Sequence, residues 1–82
     1  MTPVQAADLA RLMEETRPTR PAGVETALLE YQSGRGRLVA VWQDAATLDA
    51  YLATGQVPRG TELMRKIGLE PEVTRFDVLA IG

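Results

Sequence analysis

The chain contains no histidine, no cysteine and no asparagine. Without cysteine there are no disulfides to staple a small fold, and no thiolate for nucleophilic or redox chemistry. Without histidine as well, the usual ligands of zinc and the commonest axial ligand of haem are gone. No Ser-His-Asp triad, CxxC pair or HExxH helix can be assembled, so neither a metal nor another cofactor is expected. Lysine occurs once against eight arginines, which reads as the codon bias of a GC-rich genome, and the formal net charge is only −2. That near balance leaves no electrostatic footprint for nucleic acid or an anionic membrane. Long apolar runs are missing too. The longest, Leu38 to Trp42, falls far short of a bilayer span. No basic stretch leads into an apolar segment at the N-terminus, so no secretion signal is visible and a cytoplasmic location is expected.

What is present is 82 residues, 45% of them hydrophobic, enough for a single domain over 1–82. A chain this short buries only about 60% of its unfolded surface and usually needs a disulfide, a metal or a partner subunit. With the first two excluded, a homodimer is the expectation.

Thr2-Pro3-Val4-Gln5 has the form of a helix start: a capping hydroxyl, proline at the first helical position, and glutamine where a capping box wants it. Ala6, Leu9, Ala10, Leu12 and Met13 then recur at helical spacing. Arg17-Pro18 and Arg20-Pro21 stop the helix near residue 16, because proline disfavours helical geometry in the residue before it. Gly23 to Gln32 and Arg37 to Gln43 read as strands joined by a Ser33-Gly34-Arg35-Gly36 loop. Because that loop joins two strands, it is not a phosphate-binding glycine motif. In the second strand Leu38, Ala40 and Trp42 point one way and Val39 and Val41 the other, so cover is expected on both faces. Asp44 caps a second helix with Leu48, Tyr51 and Leu52 inward and Gly55 as its stop. A short third helix spans Pro58 to Ile67 with Leu63, Met64 and Ile67 inward. Arg65 and Lys66 suit its last turn, and Gly68 ends it. Val73 to Ile81 reads as a last strand.

The stretch Leu38-Val39-Ala40-Val41-Trp42-Gln43-Asp44, followed by Leu48-Asp49-Ala50-Tyr51-Leu52-Ala53-Thr54, resembles the antibiotic-biosynthesis-monooxygenase family. That pattern is an apolar strand ending in tryptophan, a capped helix carrying a polar aromatic or histidine, a short helix and a last strand. The resemblance covers roughly residues 4 to 81. It implies an α+β fold, the ferredoxin-like half of a dimeric α+β barrel, with an antiparallel sheet bearing helices on one face and Val39 and Val41 facing the barrel interior. Two departures stand out. The family's first strand precedes its first helix, and here the helix begins at residue 3. The position nearest the haem-ligating histidine of one branch is Thr61, a poor iron ligand. Of the oxygenase branch's Asn, Trp and His or Tyr, only Trp42 and Tyr51 survive.

Trp42 and Tyr51 are thus the candidate catalytic residues, in an apolar pocket between sheet and helices. Leu38, Ala40, Leu63, Met64 and Arg59 are the candidate substrate-binding residues, and there are no metal ligands. In a structural reading Trp42 is a core tryptophan and Tyr51 a boundary tyrosine. In a functional one the indole stacks on a flat substrate and the phenol donates a hydrogen bond. Tyr31 is a weaker candidate. Without histidine a base must come from Glu30, Glu62 or Asp77, while Arg59 and Arg65 are the cations able to stabilise an enolate. The leading expectation is a small-molecule enzyme of specialised metabolism, a cofactor-independent monooxygenase-like oxidoreductase acting on an aromatic or polyketide-like substrate. The alternatives are a cyclase or dehydratase, or a non-catalytic dimeric module binding a ligand or a protein.

Overall fold

The computed structural model describes residues 1–80, which form an α+β domain. Its elements are α1 (Pro3–Thr16), a 3₁₀ turn (Arg17–Thr19), β1 (Val24–Gln32), β2 (Arg35–Trp42), α2 (Ala45–Ala53) and α3 (Arg59–Lys66). α1 opens with the capping box read from the sequence. The Gln5 N–H donates to Thr2 Oγ1 at 3.1 Å, and the Thr2 N–H donates to Gln5 Oε1 at 2.8 Å. Gln5 Nε2 also donates to the Ile67 carbonyl at 3.2 Å, so one side chain serves the start of α1 and the end of α3. At the other end of α1 the Arg17 N–H bonds to Glu14 O rather than continuing the α pattern. That tightening, set by Pro18, leaves the Met13 carbonyl without its helical donor.

The hairpin turns more sharply than the four-residue loop expected from its sequence. Gln32 pairs directly with Arg35, leaving only Ser33 and Gly34 in the turn, with φ of 50° and 82°. Two consecutive positive φ values match the right-handed twist of the strands, so the ladder closes two residues earlier. Residue 25 forms a bulge: Val24 pairs with Trp42 and Thr26 with Val41. The extra residue moves Val24 onto the face of Leu38, Ala40 and Trp42, where it is buried.

The helices cover that face. Leu9, Leu63 and Met64 form the buried core, with Leu12, Met13, Leu29, Leu38 and Ile67 packed around them. Leu29 and Leu38 are a cross-strand pair. The opposite face holds Leu28, Val39 and Val41, none of which joins this cluster. Leu28 remains 39% exposed, and the valines are half-buried. Leu52, read as inward, is also exposed.

The sheet has two strands among the described residues. The expected last strand, Val73 to Ile81, is corrected here: residues 71–80 form no strand, and Ile81 lies outside the described residues. Alternating apolar residues suit a pleated surface, but a strand exists only when its backbone pairs with an edge. This segment meets none and is tied to α2 by Arg75 and Asp49, 2.7 Å apart. Among the described residues no helix is long and apolar enough to cross a membrane.

Candidate functional site

Trp42 ends β2, and Asp44 begins α2 two residues later by accepting the Thr47 N–H at 2.7 Å. Hydrogen bonding from Thr47 holds the Asp44 carboxyl below the usual aspartate value. This tight connection folds α2 back over the sheet and brings Tyr51 to Trp42, with ring centroids 5.1 Å apart and planes tilted by 46°. Gly23 makes room for the pair: a Cβ there would strike Thr47 and meet the indole at 2.9 Å. The phenol hydroxyl donates weakly to the Val57 carbonyl at 3.4 Å, anchoring the loop between α2 and α3.

Two adjoining clefts open beside Tyr51, of about 590 and 340 Å³. They share Tyr51, Gln56, Glu62 and Lys66 as walls. The smaller reaches toward the end of α1 and adds Thr16, Pro21, Arg59 and Leu63. Gln56, Glu62 and Lys66 are all exposed, so these clefts are wet.

Arg59 is the unusual member. Its Nη2 donates to the Met13 carbonyl at 2.9 Å and to Thr16 Oγ1 at 2.7 Å, taking the acceptor that the 3₁₀ turn released. Its Nε is buried with no hydrogen-bond partner. Burial, and then repulsion from Arg20, lowers the pKa of the guanidinium without discharging it. The other cation considered on α3 differs. Arg65 meets Glu70 at 2.8 Å, which raises the arginine and lowers the glutamate. Of the candidate bases, Glu30 pairs with Arg37 at 2.7 Å, Asp77 lies on the exposed C-terminal segment, and Glu62 lines both clefts.

The candidates read from the sequence therefore divide. Tyr51, Arg59 and Leu63 meet at the smaller cleft, and Trp42 stands behind Tyr51 without lining either cleft. Leu38 and Met64 belong to the core around Leu9, and Ala40 is exposed. Thr16, Pro21 and Lys66 were not singled out. The Arg17-Pro18 break marks where α1 ends, near Thr16 and Pro21, while Lys66 closes α3, and no local signal joins them. Among the described residues no group of His, Cys, Asp or Glu could hold a metal ion. The chain matches no protein-family model, no curated protein and no solved structure.

Proposed function

We propose that this chain is a small-molecule-binding domain, one half of a homodimer on the ferredoxin-like plan of a dimeric α+β barrel, with its ligand in the cleft under Tyr51. The carrying observation is the meeting of Tyr51, braced by Trp42 at 5.1 Å, with Arg59, which lines the same cleft and has no carboxylate partner among the described residues. An aromatic wall beside a few convergent polar groups is the usual make-up of a ligand site. Trp42 is the only tryptophan, so its fluorescence reports on the cleft. Saturable quenching by planar aromatic compounds, lost in Tyr51→Ala, supports the reading. Quenching that never saturates, or is untouched by Tyr51→Ala, overturns it.

One observation favours catalysis on the same scaffold: among the described residues Glu62 is the only carboxylate lining the clefts, and it does so together with Tyr51. A cofactor-free monooxygenase or a cyclase needs such a base. Glu62→Gln would then abolish turnover of an electron-rich phenol while leaving its affinity intact. The wet walls weigh toward binding, since oxygen chemistry on a substrate carbanion needs water excluded.

The homodimer has support of its own. Phe76 is 83% and Leu79 93% exposed on a segment that forms no strand, and among the described residues no further strand pairs with either outer edge of the β1–β2 hairpin. Exposed apolar strands of this kind are templates for pairing with another chain. Sedimentation at micromolar concentration should give twice the chain mass for the wild type and the single mass for Phe76→Asp. A folded wild-type monomer overturns the dimer.

A further inference from the structure

We propose that the smaller cleft, between the C-terminal end of α1 and α3, binds the carboxylate of a planar monocarboxylic acid through Arg59. This rests on the ligand-binding reading above and adds the charge and chemical class of the ligand.

The argument begins with unmatched charge. Among the described residues Arg11, Arg17, Arg37, Arg65 and Arg75 each have a carboxylate within ion-pair distance. Arg20, Arg35 and Arg59 have none; Arg35 is exposed, whereas Arg59 is half-buried and faces repulsion from Arg20. An arginine drawn out of water normally brings an anion with it. Here only the carbonyl and hydroxyl at the end of α1 answer it, both through Nη2. With Nη2 committed and Nε buried, Nη1 is the guanidinium nitrogen left without a partner among the described residues, on a side chain that lines the cleft.

The rest of the wall sets the ligand class. Lys66, which has no ion pair among the described residues, adds a second cation, and Glu62 adds one negative charge. The charged residues that line the cleft, Arg59, Lys66 and Glu62, sum to a single positive charge, and Arg20, outside the lining, adds to the positive field on Arg59. A monoanion meets the balance of the lining, and Glu62 repels a dianion such as phosphate about twice as strongly as it repels a monoanion. Tyr51, Leu63 and Pro21 give the same cleft apolar surfaces, which suit a flat ring carrying the carboxylate. At about 340 Å³ the cleft has room for one small ligand.

The test compares para-hydroxybenzoate with its neutral counterpart para-hydroxybenzamide, using Trp42 fluorescence and the full chain. The acid should bind about ten-fold or more tightly than the amide, the difference expected of a charge-assisted hydrogen bond. Arg59→Gln should erase that preference while leaving weak binding of both. Because Arg59 also holds the end of α1, its variant is read beside a thermal melt, and Arg20→Gln serves as a second probe. Arg20 makes no hydrogen bond through its side chain among the described residues, so this change leaves the fold alone. It should weaken the acid about two-fold through the reduced field and leave the amide unaffected. Equal binding of acid and amide by the wild type overturns the carboxylate inference and leaves the ligand reading standing. Binding of neither overturns both. A preference for the acid that survives both substitutions removes Arg59 from the role.

Discussion

Two stretches of this chain are rich in the apolar residues that strands favour, and they end in opposite states. Leu38-Val39-Ala40-Val41-Trp42 pairs with β1 along its length and has helices laid over one face. Val73 to Ala80 has Val73, Phe76, Val78 and Leu79 exposed and no strand partner. The second carries Thr74, Arg75 and Asp77 among its apolar residues, yet both read as strands. β2 follows a two-residue turn whose positive φ values deliver a ready neighbour. The last segment follows Gly68 and a short link, with no edge beside it. A period-two pattern says which side chains share a face, and only an adjacent backbone makes that face a sheet.

The contrast is sharpest at Leu9. It is fully buried and forms the core cluster with Leu63 and Met64, against which Leu38 packs. Leu9→Ala should cost about 2–5 kcal/mol, comparable with the whole stability of so small a domain. Urea unfolding followed by circular dichroism should show the cooperative transition lost or shifted far down. An unmoved midpoint would mean that the covered face of β2 owes nothing to that core.

A smaller effect is expected where β2 meets α2. Gly23→Val forces a side chain into Thr47 and the Trp42 ring, and overpacking of this kind costs about 1–3 kcal/mol. The variant should also disturb the Trp42–Tyr51 pair, visible as a change in near-ultraviolet circular dichroism. A native-like spectrum would show that the connection yields without moving the rings.

Smaller again is the contribution of the Asp44 cap. Its carboxyl is held below the ordinary value by hydrogen bonding from Thr47, so the folded state binds the proton less readily than the unfolded chain. The stabilisation is therefore present above the unfolded value of about 3.9 and fades as pH falls through the lower folded value. Asp44→Asn should flatten that part of the acid limb of a stability–pH curve while keeping α2 capped. An unchanged acid limb would assign it to other carboxylates, such as Glu70 beside Arg65.

The least effect within one chain belongs to Phe76. At a dilution where the protein is monomeric, Phe76→Ser should change the unfolding free energy by less than about 0.5 kcal/mol, as surface substitutions do. A larger loss would place the ring in a contact inside its own chain and remove the contrast with Leu9.

Local chemistry was legible wherever a few neighbouring residues decide the outcome. Thr2 and Gln5 close their capping box, Asp44 caps α2, and Gly55 and Gly68 take positive φ where helices end. The cleft was legible only in part. Tyr51 and Arg59 were singled out from the sequence, but for an apolar pocket between sheet and helices that also took in Leu38 and Ala40. Instead they meet at the end of α1, because the Pro18 turn frees the Met13 carbonyl and Arg59 reaches across to take it. That pairing spans 46 positions, and nothing in either local sequence announces it.

By itself, then, the sequence determined the helices and their ends, the two hairpin strands, and the exclusion of thiol and imidazole chemistry, all consequences of residues within a few positions of each other. Tertiary structure alone decided three things. It turned Val24 inward through the bulge at residue 25. It withheld a pairing edge from residues 73–80. It left Arg59 enclosed without a carboxylate. Each depends on which backbone or charge arrives from a distant part of the chain, and neither strand periodicity nor helix capping carries that information.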